Sequence, residues 1–422
     1  MSRSLAEWLE YQESLHPREI ELGLDRSRLV AERLDLRPPP GRVFTIAGTN
    51  GKGSTANYLN ALMAASGWRT GVYTSPHLLR YNERIRLDGE LVSDAALVSA
   101  FEAVDAARAG VPLTYFEFGT LSALWLFTEA RLDAWILEVG LGGRLDAVNL
   151  VDPDFSLITT VDFDHRDWLG DTIDAIATEK AGILRPHRPG FYGDDPLPAA
   201  IRDRADAIAA DLRVAGQDFG YERSSDSWHW WTDGLHQPDL PLPEPSDDTQ
   251  LANLSLALAA AATCERDLVA AHNISAVTSR FELSGRFQSW SCDGQEWIFD
   301  VAHNPQAAGV LAQRLRELPP VPLTTLVIGL HANKDLGGFL APFAGLIQRW
   351  VCCRAGRSAG WDAGALASRL EAVSDAEVLY EETPGEAVTL AGAAMPRSER
   401  IIVCGSFEVV GPAIASLGLQ VN

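Results

Sequence analysis

The sequence predicts an α/β protein of two domains. The larger, N-terminal one has a parallel-rich sheet carrying a phosphate-binding loop, and the smaller, C-terminal one is a Rossmann-like α/β domain. Three observations carry this. Short β-rich runs alternate with segments of helical periodicity along most of the chain, the pattern of strands joined by crossover helices. A glycine-rich turn, Gly48-Thr49-Asn50-Gly51-Lys52-Gly53-Ser54-Thr55, separates a strand-like run from a helical one. After Ser284-Gly285-Arg286 the alternation starts afresh, which places a boundary near residue 285 and assigns 1–285 and 286–422 to the two domains.

In order, Arg42 to Ala47 reads as a strand that breaks into the glycine-rich turn. From Ser54 to Ser66, Ala56, Leu59, Leu62 and Met63 recur at helical spacing, and Gly67 stands where a C-terminal cap belongs. Thr70 to Tyr73 follows as a second strand, so the segment is a βαβ unit. Ala134 to Val139 and Ser156 to Val161 are further buried strands. In residues 221–248, Trp228, Trp230 and Trp231 precede the proline-rich stretch Pro238 to Pro245, which reads as a β excursion and then an irregular loop. A buried helix is expected from about Gln250 to Cys264. Past the boundary the strands are Trp297 to Val301, Thr324 to Ile328 and Ile401 to Cys404, with helices between them.

Composition narrows the class. The 422 residues are 46% hydrophobic, enough for sizeable cores. Lys and Arg number 35 against 57 Asp and Glu, a net charge of −22, which excludes a general nucleic-acid binder. No run approaches the ~20 apolar residues of a membrane span. Met1 to Glu13 is polar and carries carboxylates, unlike a secretory signal. Five cysteines, two of them adjacent at 352 and 353, have no framework spacing, so reduced thiols and a cytoplasmic location are expected.

The glycine-rich turn has a chemical reading. Its glycines allow backbone N–H groups to turn toward phosphate oxygens, and the following helix N-terminus adds positive potential. Lys52 is suited to the β- and γ-phosphates, and a hydroxyl from Ser54 or Thr55 to Mg²⁺. The N-terminal domain therefore reads as P-loop ATPase-like. Glu138 closes a buried strand, where a carboxylate is costly unless paired or bound to metal. Thr114, Phe116 and Glu117 join aromatics to a carboxylate ahead of an apolar helix. By themselves these residues read equally well as packing of that helix. Asp300 ends a strand before a helix, a position suited to a ribose hydroxyl, and Arg286 suits a phosphate.

The spelling Gly-Lys-Gly-Ser, with Gly53 between the lysine and the hydroxyl, departs from the commoner phosphate loop. It resembles that of the Mur-ligase superfamily and, within it, the folylpolyglutamate synthases. Ordered motifs from about Leu5 to Ser406 extend the resemblance, and two of them point to the bifunctional dihydrofolate/folylpolyglutamate synthases. These are Leu113 to Thr120 and Gly142-Gly143-Arg144-Leu145-Asp146-Ala147.

The resemblance implies an ATP- and pterin-binding central domain followed by a glutamate-ligase domain. It implies ATP on Thr49, Asn50, Gly51, Lys52, Gly53, Ser54, Asn253, Arg286 and Asp300, with Mg²⁺ (two ions) on Ser54, Ser75, Glu138 and His165. The pterin substrate is expected at Leu22, Gly23, Leu24, Thr114, Phe116, Glu117, Leu145, Asp146 and Ala147, and the incoming glutamate at His303 and Ser406. A helix-capping role is the competing reading of His303. The Glu179-Lys180-Ala181-Gly182-Ile183 motif implies a carbamylated lysine, and the resemblance implies Lys52, Lys180, Arg286 and His303 as the catalytic set. One departure is Ala332-Asn333-Lys334-Asp335, where the family often has Asp-Lys-Asp.

The implied reaction is ligation of L-glutamate to dihydropteroate, and of further γ-linked glutamates to reduced folates, by a monomer that binds neither membrane nor nucleic acid. A folylpolyglutamate synthase without the dihydropteroate reaction is the nearest alternative. A cell-wall Mur ligase and a nucleotide-binding regulatory protein are more distant ones.

Overall fold

The computed structural model describes residues 3–18, 20–36, 41–279, 283–292, 294–356, 360–393 and 400–419. Its first sheet is built around β1 (Arg42–Ala47), which is buried on both faces from Val43 onward, as a central parallel strand must be. The others are β2 (Thr70–Tyr73), β3 (Ile85–Leu87), β4 (Glu90–Leu91), β5 (Ala134–Glu138), β6 (Phe155–Ile158), β7 (Pro189–Tyr192) and β8 (Asp211–Val214). These eight strands lie in the order β4-β3-β2-β5-β1-β6-β7-β8. All pairings are parallel except those of β3 with β2 and β4 at one edge. The βαβ connection joins β1 to β2, but β5 lies between them and pairs with both.

Helices cover both faces. Along β1, Val43 and Ala47 enter one core, while Phe44 and Ile46 enter the other, the period-two alternation of a strand. The first core takes side chains from α1 (Leu5–Ser14), α2 (Asp25–Arg33), α4 (Asp94–Arg108) and α5 (Tyr115–Ala130), including Trp8, Val30, Phe101 and Phe118. It also takes Ala177 and Ala181 from α7 (Ile173–Ala181) and Ile201 from α8 (Ala199–Ile208). The second core takes Leu59 and Leu62 from α3 (Lys52–Ala65), Leu254 and Leu258 from α9 (Asp248–Cys264), and Ile274 from α10 (Ala271–Thr278). A one-turn helix, α6 (Arg166–Leu169), precedes α7.

Several boundaries differ from the sequence reading, each for a local reason. Helix α3 starts at Lys52 rather than Ser54, because Gly51 adopts φ +87° and serves as its N-cap. Strand β6 stops at Ile158 rather than Val161, because Thr159 and Thr160 turn to bond the phosphate loop. The proline-rich stretch is not wholly a loop. β9 (Phe219–Arg223), β10 (Ser227–Thr232) and β11 (Leu235–Pro241) form a three-stranded antiparallel sheet in which β11 is an edge. Pro238 and Pro241 are tolerated there because an edge strand has N–H groups to spare, and the register shifts between Trp228 and Trp230. Trp228 and Trp230 share the inward face of β10 and are fully buried.

Compactness divides the chain into Met1–His77 with Tyr81–Phe281, and Leu78–Arg80 with Glu282–Asn422. The second unit has its own sheet of β12 (Gln288–Cys292), β13 (Gln295–Phe299), β14 (Thr324–Ile328), β15 (Arg349–Cys352), β16 (Glu377–Tyr380) and β17 (Arg400–Cys404). Their order is β12-β13-β17-β14-β15-β16, parallel apart from β12. Around it lie α11 (Pro305–Glu317), α12 (Leu336–Leu340), α13 (Ala363–Glu371), α14 (Pro384–Ala393) and α15 (Phe407–Ser416). Leu78 packs into this unit's core with Phe299, Val301 and Val410. The adjacent Cys352 and Cys353 face opposite cores, and both thiols are free.

The stability of the first unit depends on the centre of its sheet. Phe44 stacks on Phe155 with ring centroids 4.6 Å apart. Phe44→Ala is expected to cost about 3–5 kcal/mol, read as a lower midpoint in the urea unfolding of the first unit.

Candidate active site

The phosphate loop lies between β1 and α3 and is held from the side by the residues that follow β6. Thr159 Oγ1 donates to the Asn50 carbonyl at 2.6 Å, and the Asn50 N–H donates to Thr160 Oγ1 at 3.1 Å. Thr49 Oγ1 accepts from the Asp162 N–H at 3.0 Å, and the Thr49 N–H donates to the Thr160 carbonyl at 2.9 Å. Gly48, at φ +153°, has no alternative, since a Cβ there would lie 1.8 Å from Thr159 Oγ1. Lys52 Nζ curls over the loop and donates to the carbonyls of Gly48 (3.0 Å) and Thr49 (3.1 Å). Asn253, buried on α9, sets Oδ1 against Gly51 and 3.5 Å from Thr55 Oγ1. Its Nδ2 is buried with no hydrogen-bond partner among the described residues.

Three of the four metal candidates, Ser54, Ser75 and Glu138, lie at the same helix start. Glu138 ends β5 and is 5% exposed, and its Oε2 accepts from the Ser75 N–H at 3.0 Å. A Cβ on Gly53 would lie 3.6 Å from that oxygen, so the carboxylate faces the first turn of α3, where Ser54 is buried. Hydroxyls and a carboxylate are hard oxygen donors of the kind Mg²⁺ takes. His165 has a left-handed backbone at the N-cap of α6, with Nε2 3.8 Å from Asp164 Oδ2. Among the described residues no three His, Cys, Asp or Glu side chains converge into a metal cage.

Lys180 is not the exposed helical lysine its position on α7 would suggest. It is 3% exposed, and its amine is pushed down to about 7, first by burial and then by the charge of Lys52, against the opposing pull of Asp164. Asp146 is buried too, and burial pushes its carboxyl up to about 7. Backbone donors oppose that shift: Oδ2 accepts from the Leu141 N–H and Oδ1 from the Val148 N–H, both at 2.9 Å. Lys52 lowers Asp146 as well, so Lys52, Asp146, Lys180 and Asp164 share one electrostatic neighbourhood.

The aromatic segment differs from expectation in its boundary. α5 begins at Tyr115 rather than after Gly119, because Thr114 and Glu117 form a capping box. Glu117, 3% exposed, is fully engaged by protein. Oε2 accepts from the Thr114 N–H at 2.8 Å, and Oε1 accepts from Arg26 Nη2 at 3.0 Å and Ser27 Oγ at 3.1 Å. The Phe116 ring lies over Gly140, where a Cβ would be 2.6 Å away, and 6.0 Å from the Tyr73 ring. The Gly23 N–H donates to the Leu145 carbonyl at 3.3 Å, so the Leu22–Leu24 loop meets the Leu145–Ala147 turn.

In the second unit, Asp300 follows β13 and pins the turn after Gly285. Its Oδ2 accepts from the Phe287 N–H at 2.9 Å and its Oδ1 from the Ala302 N–H at 2.8 Å. The Arg286 guanidinium lies 5.7 Å from the Phe407 ring centroid, beside Ser406, the N-cap of α15. His303 Nδ1 lies 2.9 Å from the Val301 carbonyl. The cap of α11 is the neighbouring Asn304, which accepts from the Ala307 N–H at 3.0 Å. Asp335 caps α12 by accepting from the Gly338 N–H at 3.0 Å.

With this geometry in view, residues 46–222 match the Mur ligase middle domain and residues 285–407 the Mur ligase glutamate ligase domain. The chain is 41% identical over 410 residues to the Escherichia coli (strain K12) dihydrofolate synthase/folylpolyglutamate synthase, covering 96% of this chain and 94% of that protein. The chain belongs to the dihydrofolate synthase/folylpolyglutamate synthase family of Mur ligases. The solved structure of E. coli FolC in complex with DHPP and ADP matches with a TM-score of 0.92 at 39% identity, covering 99% of this chain and 98% of that one. A bifunctional folylpolyglutamate synthase/dihydrofolate synthase with Mn, AMPPNP and L-glutamate bound matches with a TM-score of 0.90 at 41% identity, covering 99% of each chain.

Sequence reading overlooked the residues that support the site in this dihydrofolate synthase/folylpolyglutamate synthase family member. Thr159 and Thr160 shape the phosphate loop, and Ser27 joins Arg26 in holding Glu117. The only signal for the threonines was a pair of hydroxyls at the end of a strand otherwise rich in apolar residues.

Gly51→Ala would place a Cβ 2.2 Å from Asn253 Oδ1 at φ +87°. It is expected to weaken ADP binding by about tenfold or more in titration calorimetry. Gly67→Ala has similar backbone strain, at φ +79°, with nothing within 4 Å. It is expected to lower stability while leaving ADP affinity intact.

Proposed function

We propose that the chain is an ATP-dependent ligase that joins L-glutamate to dihydropteroate and adds further γ-linked glutamates to reduced folates. The observation that supports this reading is the buried carboxyl of Asp146, which feels the charge of Lys52 on the glycine-rich turn. The E. coli relative bound to DHPP and ADP supports it, as does the relative bound to AMPPNP and L-glutamate.

In the reaction, a carboxylate oxygen of the pterin substrate attacks the γ-phosphorus of ATP. The bond to the bridging oxygen breaks, ADP leaves, and an acyl phosphate forms. The amine of L-glutamate then attacks the acyl carbon, phosphate leaves with the electron pair, and the amine loses a proton. Lys52 exchanges the Gly48 and Thr49 carbonyls for phosphate oxygens and, with the N–H groups of Gly51 to Ser54 at the start of α3, stabilises the charge that develops. Thr49, Asn50, Asn253, Arg286 and Asp300 orient the nucleotide. Leu22 to Leu24, Thr114, Phe116 and Leu145 to Ala147 hold the pterin, and His303 and Ser406 receive the glutamate. Ser54, Ser75, Glu138 and His165 are the residues that would hold Mg²⁺, as two ions. When bound, the metal neutralises phosphate charge.

Lys180 acts as a carbamate in this reading. Burial keeps its amine near neutrality, and the neutral amine adds to CO₂ with loss of a proton. The resulting anion answers the positive charge of Lys52. The protein works as a monomer in the cytoplasm on small molecules alone. Its net charge of −22 disfavours nucleic acid, and no described helix is long and apolar enough to cross a membrane.

ADP release is expected with both dihydropteroate and tetrahydrofolate when glutamate is present. Turnover with tetrahydrofolate alone would reduce the reading to a folylpolyglutamate synthase. Lys52→Ala should lower turnover by about 10²-fold or more with an unchanged circular dichroism spectrum. Wild-type activity depleted by removing CO₂ at near-neutral pH should return on adding bicarbonate, and ¹³C-bicarbonate should give a carbamate resonance that Lys180→Ala lacks.

A further inference from the structure

The Leu22–Leu24 loop has one hydrogen bond to the turn it faces, from the Gly23 N–H to the Leu145 carbonyl at 3.3 Å. A single long bond at a glycine with φ +149° is a weak tether for a wall of a binding site. The helix that follows begins without help, because Leu24 is the N-cap of α2 and makes no side-chain capping bond. The loop is held instead at its base. Arg26 Nη2 donates to the Glu21 carbonyl at 2.9 Å, and Nη1 donates to Glu21 Oε1 at 2.7 Å. The same guanidinium reaches back to the buried Glu117, with Nη2 3.0 Å from Oε1. Ser27 Oγ adds a second donor to that oxygen, and the Thr114 N–H occupies the other. On the outer side, Glu21 Oε2 lies 3.2 Å from His16 Nε2.

The three donors on Glu117 come from the N-terminus of α5 and the start of α2, and they leave the carboxylate committed to protein. Its burial is costly unless it is paired, and Arg26 is the cation that pairs it. A guanidinium that must satisfy a buried carboxylate cannot wander, so its grip on the Glu21 carbonyl fixes where the next residues, Leu22 to Leu24, begin.

We propose that Arg26 and Glu117 are positioning residues, in which Glu117 anchors Arg26 and Arg26 presents the Leu22–Leu24 loop to the pterin substrate. This rests on the functional reading above for the identity of the substrate. It departs from the expectation that Glu117 itself contacts the pterin. The pair acts on binding of the heterocycle and leaves the phosphate chemistry to Lys52.

The test uses the full chain in two readouts. Hydrogen exchange of the ligand-free protein needs no substrate, and Arg26→Ala is expected to speed exchange across residues 21–24 while leaving that of β1 unchanged. With dihydropteroate, Arg26→Ala is expected to raise KM by about tenfold or more, with kcat and the KM for ATP within about twofold of wild type. Arg26→Ala combined with Glu117→Gln should be little worse than either change alone, because both break one device. Arg26→Lys, which keeps the charge and loses the fork, should show the same pattern more weakly, and it serves if Arg26→Ala does not fold. Unchanged exchange overturns the proposal, as does an unaltered dihydropteroate KM or a Glu117→Gln effect that adds fully to that of Arg26→Ala. If the wild type turns over no dihydropteroate, the functional reading fails, and exchange alone decides the positioning role.

Discussion

The hydroxyls of Thr159 and Thr160 against the backbone of Asn50 are the constraint on which the first unit's site depends. A loop whose N–H groups are to receive phosphate cannot satisfy itself with its own hydrogen bonds, since that would consume the donors the ligand needs. The neighbouring strand end holds it from outside, through the N–H and carbonyl of Asn50 and the N–H and side chain of Thr49. This works because β6 pairs directly with β1 and then stops short, which frees its next two residues. Lys52 lies over the same loop, its Nζ on the carbonyls of Gly48 and Thr49.

Around that loop the protein buries charge on both sides of neutrality. Glu138, Asp146, Lys180 and Glu117 are all nearly inaccessible, and each meets the cost differently. Glu138 faces a helix start and a backbone N–H, Glu117 is paired with Arg26, and Asp146 collects backbone donors. Lys180 is displaced toward its neutral form. Of these, Asp146 and Lys180 are the two whose ionisation burial displaces, and both feel the charge of Lys52. An acidic protein can still hold anionic substrates where Lys52 and the N-terminus of α3 supply local positive potential.

Much of the site was legible in the sequence because its residues are close together along the chain. The phosphate loop needs glycine at a left-handed position next to a helix start, and Gly51 followed by Lys52 states this in adjacent residues. Glu138 and Asp300 were legible as carboxylates at strand ends, where hydrophobic runs stop. Other boundaries were misread where a helix cap or a sheet position overrides the expected pattern. The capping box of Thr114 and Glu117 starts α5 early, inside a motif that reads as a binding segment. An edge position lets β11 run through Pro238.

The sequence by itself determined the α/β class, the two-part organisation, the phosphate loop and the family, because each is encoded in short-range spacing and in ordered motifs. Only the tertiary structure decided that β5 separates β1 from β2, that Leu78 to Arg80 belong to the second unit, and that Lys180 is buried. It also decided that Glu117 pairs with Arg26. That contact spans 91 positions in the chain. Periodicity describes only the element in which a residue sits, whereas burial and pairing depend on which elements the sheet order brings together.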